Sequence, residues 1–477
     1  MNLKTNLIGL ALTSYLIAAC GTPLEFPSDS ASSGSGSTAD EATTAPIASS
    51  PWKRFAYSTV ANQYADIVTV RSDIVGNVVV IGDTNTNLRG NTLSGTKDVI
   101  IQKYSPSGEL LFTKQYGVAG GSWSGAKIYT DSHQNIYAGM TLTLKDLDGN
   151  SISNNVGVVR KLDKEGTQLW VKQLTNGGTA AGYVSITGVV GDNDGNAYVS
   201  GVFQGGIEGT AATGTTDGFL LKLNTTGAIE WQKTFGQASK TFSIYHLSLS
   251  STGLILVPGQ TSMDISSSGY VSSSPFLMQY DSSGNQVHLT HLGSTNSNKN
   301  VGTMGRVVEG SDGSLYGCGI TSTPDFNGLT SIGTTDIIFY KFTKAGELVW
   351  VNRHGQSGVE VFDAPECLAI GKGDRLYSTG TQNGTFANNA LIGTKDVWIA
   401  ELSSTDGSLV KSHSFGIAGA TIGRYTVDAD RSGNLYTSFS FSFSFMGHTL
   451  VGTKAALVGR TSLDTPFSTL EALPYVE

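Results

Sequence analysis

An all-β fold of seven four-stranded antiparallel blades, arranged as a β-propeller, is what this sequence predicts, and three observations predict it. A turn-like segment recurs seven times at intervals of about sixty residues. Each interval holds four strand-sized runs, joined by alternately tight and long connections. Gly is abundant at 60 residues while charged residues make up only 14% of the chain. That mixture suits short strands and tight turns and suits long helices badly.

The turn segments begin near Asp73, Asp131, Asp192, Ser250, Ser311, Lys372 and Asp430, and most contain Gly, as at Gly76, Gly195, Gly253 and Gly433. Each precedes a short alternating run such as the Asn-Ala-Tyr-Val-Ser-Gly of residues 196–201. In the first unit, strands are expected at 66–71, 77–83, 98–104 and 109–116, where Val, Ile, Tyr and Thr dominate. The one-two and three-four turns are tight; the two-three and four-one connections run to about a dozen residues. Four antiparallel strands repeated seven times describe blades that protect their short edges by radial packing. A flat β-solenoid is the rival, but its coils need no tight hairpins.

The ends of the array favour a ring. The segment Trp52-Lys53-Arg54-Phe55 looks like the fourth strand of other units, such as Trp231 to Phe235, yet precedes the first unit. The seventh unit runs through 454–461 and then loses its fourth-strand signature. The N-terminal strand is therefore expected to complete the last blade, with the tail at 466–473 competing for that slot.

Ahead of the array, residues 1–19 read as a targeting segment: Lys4 supplies a short positive region and residues 7–18 an apolar stretch too short to span a bilayer comfortably. The ending Ile17-Ala18-Ala19-Cys20 resembles the bacterial lipobox, which implies acylation of Cys20 and a lipid anchor in the membrane. Gly21 after the Cys, by resemblance to enteric lipoproteins, implies delivery to the outer membrane or cell surface. Residues 20–50, rich in Ser, Thr, Ala and Gly, read as a flexible tether reaching about 30 Å on a root-mean-square basis. Residues 51–477 are then the propeller. Cys318 and Cys367 remain; a disulfide is open to an exported protein, but two buried thiols are the favoured expectation.

The combination Gly-Asn-x-Tyr-Val-x-Gly, Gly-Thr-Thr-Asp and a later Trp is best seen at Gly195 to Gly201 with Gly214 to Trp231, and at Gly313 to Gly319 with Gly333 to Trp350. It resembles the SBBP-type seven-bladed propeller repeat of bacterial cell-surface proteins over nearly all of 52–465. The second and fourth units depart from it, lacking the Asp before the third strand. The resemblance implies a fold and leaves function open, because propellers host unrelated activities.

Candidate chemistry is sparse. Asp98, Asp217, Asp336 and Asp396 share one slot before the third strand. A ring of carboxylates could hold cations, but groups shared by every repeat are structural more often than catalytic, and a short acid here can accept N–H bonds from its own loop. Asp192-Asn-Asp-Gly-Asn196 and Asp146-Leu-Asp-Gly-Asn150 resemble the start of a calcium loop, but the sixth and twelfth positions are wrong for one, so turn roles are expected. His288 and His291 fall on opposite faces of a strand. His354 and His413, near the ends of fourth strands, are expected to face solvent, and no cofactor or metal is expected. Trp123 in a connecting loop could stack on a sugar. However, Tyr64, Tyr183, Phe242, Phe362 and Ile422 occupy matching positions, which argues for packing between blades. No Gly-x-Ser-x-Gly elbow, phosphate loop or sialidase-type Asp box is present. With a net charge of −8 and no basic cluster, nucleic acid is excluded as a partner.

The expectation is a monomeric, non-catalytic cell-envelope lipoprotein that binds a protein or glycan partner. The long loops at 83–97, 142–155, 203–216, 261–274 and 321–335 gather on one face, where binding resides on rigid scaffolds. The alternatives are an envelope enzyme acting on polysaccharide or peptide, which requires acids converging near the channel mouth, and an outer-membrane assembly scaffold.

Overall fold

In the computed structural model, which describes residues 51–56, 62–176, 182–356, 361–416, 418–419, 422–442, 444, 453–461 and 463, seven antiparallel sheets follow one another along the chain. Cys20, the rest of 1–50 and the tail at 466–473 lie outside the described residues. Blade 1 is built from Ala65–Ser72, Val78–Thr84, Asp98–Tyr104 and Leu110–Tyr116, paired in that order. The same meander repeats in blades 2 to 6, over residues 122–174, 183–235, 242–291, 307–354 and 361–415. Lys372–Asp374 is the one helical turn among the described residues.

Blade 7 is composite. Ile422–Ala429, Leu435–Phe441 and Ala455–Thr461 supply three strands, and Trp52–Ala56 pairs antiparallel with the third, Trp52 opposite Arg460 and Ala56 opposite Ala456. The seam is tied further by Trp52 Nε1 donating to the Pro106 carbonyl (3.0 Å) and Arg54 Nε to the Gly108 carbonyl (2.5 Å) of blade 1. Thr453 N donates to the Gln63 carbonyl at 2.7 Å, and Lys454 pairs with Asp66.

The core shows that the ring is closed. Seven hydrophobic clusters stand among the described residues, and each is shared by two adjacent blades. An open row of seven sheets has six such junctions, so the seventh decides the matter. It joins Trp52, Tyr436, Ala456 and Val458 of blade 7 to Ile67, Val78, Val80 and Ile100 of blade 1. Blade-to-blade packing is where each sheet buries the apolar faces it cannot bury alone.

Two repeated glycines show how the motif enforces this geometry. The first strands of blades 1, 2, 3 and 7 carry a β-bulge, which presses the first strand against the second. A Cβ at Gly82 of blade 1 would strike the Asp66 carbonyl, and one at Gly201 of blade 3 the Ser185 carbonyl. Only glycine tolerates that approach.

Cys318 on the second strand of blade 5 and Cys367 on the first strand of blade 6 form a disulfide, with Cα atoms 6.5 Å apart. The expectation of two thiols is corrected here. Both positions are fully buried, as expected, but they face each other across one blade junction, a proximity that a sequence separation of 49 conceals.

Candidate functional site

The repeated acids turn out to be architectural. Asp98 accepts from the N–H groups of Ser94 and Gly95, both at 2.8 Å; Asp217 from Thr213 (2.6 Å) and Gly214 (2.8 Å). Asp336 does the same with Ile332 (2.9 Å) and Gly333 (2.7 Å), and Asp396 with Ile392 (2.6 Å) and Gly393 (2.8 Å). All four are buried at the foot of a long loop. The calcium-like segments are likewise turns: Asp192 Oδ1 accepts from Asp194 N and Asn196 N while Oδ2 takes the Asn196 amide, and Asp146 repeats the pattern with Asp148 and Asn150. Their carboxylates are spent on the backbone and Asn side chain of their own turns.

Trp123 is buried in the junction of blades 1 and 2. His288 and His291 do part to opposite sides, the first bonding Thr290 beside Gly346 and the second Ser274. His354 and His413 depart from expectation. Rather than facing solvent they are half-buried, and they bond the carbonyls of Gly407 (2.8 Å) and Leu463 (2.7 Å), binding the outer strands to the next unit.

The long-loop face is more ordered than its sequence suggests. Two-three connections in blades 3 and 5 fold into small hairpins, Gly206–Ile207 with Thr210–Ala211 and Asp325–Phe326 with Leu329–Thr330. Their tips, Glu208-Gly209 and Asn327-Gly328, both have positive φ at each residue, the signature of a type I′ turn. Arg89-Gly90 and Ala387-Asn388 repeat it in blades 1 and 6. Each hairpin is pinned by a buried side chain: Leu88, Ile207, Phe326 or Phe386. On the same face Leu144, Val271, Ile332 and Ile392 stand about half exposed, one from each of blades 2, 4, 5 and 6, the last two on pinned loops.

A second feature lies at the axis, where first strands meet. Glu366 sits inside the wide bulge of the first strand of blade 6, and His246 inside the break between the two halves of the first strand of blade 4. Such irregularities re-aim side chains out of the sheet. Glu366 takes an ion pair from Arg71 of blade 1 and another from Lys127 of blade 2 at 2.6 Å, and lies 3.2 Å from His246 Nε2. Arg71 Nη2 also reaches His246 Nε2 at 3.0 Å. Beside them Arg306 of blade 5 donates to Asp428 of blade 7 (2.9 Å) and to the Val427 carbonyl, while Asp428 also accepts from Ser72. Six blades thus send charged or ionisable groups into one buried cluster.

Sequence reasoning missed this cluster, although a signal existed. The slot of Arg71, two residues before the residue whose N–H closes the turn (Asp73, and Gly310 and Gly371 in blades 5 and 6), holds Tyr129, Val190, Ser248, Val308, Ala369 and Asp428 in the other blades. A position where one repeat is cationic, another anionic and the rest neutral breaks the pattern that structural residues keep.

Burial alone would raise the Glu366 carboxyl, but Arg71, His246 and Lys127 together hold it well below the usual range. Burial pushes His246 down to about 4, outweighing the attraction of Glu366. His246 is therefore neutral at pH 7, with Nε2 within hydrogen-bonding distance of both Arg71 and Glu366 and Nδ1 buried without a partner among the described residues. Between pH 6.5 and 4 the unfolded chain protonates this histidine and the folded one does not, so stability falls as pH falls through that window. Glu366 adds to the loss only below its unfolded value of 4.5. Melting curves across this range should show His246→Gln losing less stability between pH 6.5 and 5 than the parent; equal slopes would refute the assignment.

Above the cluster, toward the tight-hairpin end of the channel, lies a cavity of about 300 Å³. It occupies the end opposite the long loops.

No protein-family model matches the chain, and no curated protein matches it. Among solved structures, the chain is similar to virginiamycin B lyase from Staphylococcus aureus at 11% identity, covering 86% of this chain and 99% of that one, with a TM-score of 0.45. A polysaccharide lyase acting on ulvan is similar at 12% identity over 81% of this chain and 93% of that one, TM-score 0.43. The intramolecular trans-sialidase of Ruminococcus gnavus is similar at 12% identity over 80% and 91%, TM-score 0.37. Likenesses of this grade do not bear on what this chain does.

Proposed function

We propose that the protein is a non-catalytic binding propeller of the bacterial cell envelope, held by a lipid on Cys20, that captures a protein partner on its long-loop face. One observation carries the reading: four blades present half-exposed aliphatic side chains on the long-loop face, and in blades 5 and 6 the loops that carry them are fixed by the buried anchors Phe326 and Phe386 and the buried carboxylates of Asp336 and Asp396. A rigid frame lowers the ordering cost of association, and exposed apolar side chains at an ordered surface suit a protein partner. A glycan would be better served by exposed aromatics, yet the large exposed hydrophobics among the described residues are all Ile, Leu or Val. Membrane attachment and envelope location rest on the N-terminal sequence.

Catalysis is disfavoured on chemical grounds. The channel acids Glu366 and Asp428 are each held by cations, and Glu366 is kept ionised far below neutrality, so it cannot serve as a proton donor there.

The test uses the tethered protein as bait in intact envelopes. A variant carrying Leu144→Ser, Val271→Ser, Ile332→Ser and Ile392→Ser should keep its melting temperature and lose partner capture by about tenfold or more, as befits loss of the apolar centre of an interface. Undiminished capture by the variant would remove the long-loop face from the account.

A further inference from the structure

The axial cavity has a composition that the long-loop reading does not use. Its lining carries three guanidinium groups, Arg71, Arg306 and Arg431, against two carboxylates, Asp428 and Glu309. Beneath it Lys127 and Glu366 cancel each other. Arg431 and Glu309 stand at the rim, where Arg431 also pairs with Asp374 and Glu309 bonds Ser251. Deeper in, Arg71 and Arg306 are nearly buried. At the rim Glu309 and Asp374 outnumber Arg431, whereas Arg71, Lys127 and Arg306 in the buried part face only Glu366 and Asp428, an excess of one positive charge. Removing such a charge from water is costly unless a counter-charge accompanies it.

Tyr129 supplies the second observation. It lines the cavity, and its hydroxyl has no hydrogen-bond partner among the described residues, whereas the neighbouring Thr130 and Ser248 hydroxyls are both donated to backbone carbonyls. Burial raises the phenol to about 12, so it remains a neutral donor at any physiological pH. Leu249 and Ala429, both partly exposed, give the remaining wall an apolar character. One excess cation, planar guanidinium groups, a spare hydroxyl donor and an apolar side describe a receptor for a small organic acid.

We infer that the axial cavity is a second binding site, separate from the long-loop face, for a small monoanionic carboxylate with a short apolar body, received by Arg71, Arg306 and the Tyr129 hydroxyl. An inorganic oxyanion is the rival occupant. It matches the charge but leaves the apolar wall unused.

Calorimetric titration of the full-length protein with isobutyrate, its neutral amide isobutyramide and inorganic phosphate tests the assignment. Isobutyrate should bind saturably, at least about tenfold more tightly than isobutyramide, and more weakly as salt rises. Tyr129→Phe should weaken isobutyrate about tenfold while leaving the melting temperature unchanged, because the hydroxyl serves no protein group. Arg306→Lys keeps the charge opposite Asp428 but loses the planar fork, and it too should weaken binding. Equal affinity for acid and amide, binding of phosphate alone, or isobutyrate binding indifferent to Tyr129→Phe would each overturn the proposal.

Discussion

Glu366→Gln is expected to lower the free energy of unfolding by about 3–5 kcal/mol, the cost of leaving buried charges without their partner. The glutamine has nearly the same shape, so packing is preserved and the loss is electrostatic. Arg71 and Lys127, from blades 1 and 2, both direct their charge at this one carboxylate of blade 6. Without it, two cations stay in a space from which water is largely excluded. Replacing Arg71, Lys127 and Glu366 together by Met should restore most of the loss, because an apolar substitute for a whole buried ion cluster is often neutral or stabilising. Denaturant titration reads both. A loss below about 1 kcal/mol for Glu366→Gln would show that the cluster is solvated and not a structural centre.

Asp336→Ala should cost about 4–5 kcal/mol, whereas the same change at the equivalent Asp396 should cost about 2–3 kcal/mol. Each aspartate, itself buried, satisfies two N–H groups of its loop. The difference comes from the fourth strand beside them. Arg353, opposite Ile338, donates to Asp336 at 2.6 Å and is itself buried; Ser414, opposite Trp398, fills the same slot near Asp396. In blade 1 that slot holds Gln115, which donates to Asp98 at 3.0 Å. The repeat therefore keeps the acid and varies its support. Paired denaturation curves of the two alanine variants measure the difference directly, and equal losses would mean that Arg353 finds other partners when its acid is removed.

Much of the fold was legible because it is local. Turn residues such as Asp73-x-x-Gly76-Asn77 fix a hairpin within five residues, and four such runs per period leave few ways to bury their faces. The closing strand was legible for the same reason: Trp52 carries the signature of Trp170, Trp231 and Trp350 but lacks a unit of its own. What escaped notice is non-local. Arg71 and Glu366 are 295 residues apart, and each alone looks like an ordinary strand charge. Cys318 and Cys367 meet only because neighbouring blades stack. The small hairpins at Glu208-Gly209 and Asn327-Gly328 were readable as turn pairs, yet they lay inside runs whose length alone suggested open loops.

Hydrogen exchange on the segment 52–56 bears most directly on the claim that the chain closes on itself. As the outer strand of a completed blade, these residues should be protected to the same degree as Ile229–Phe235, the outer strand of blade 3. Exchange of 52–56 at the rate of unstructured chain, with 455–461 still protected, would mean that the ring is open at the seam.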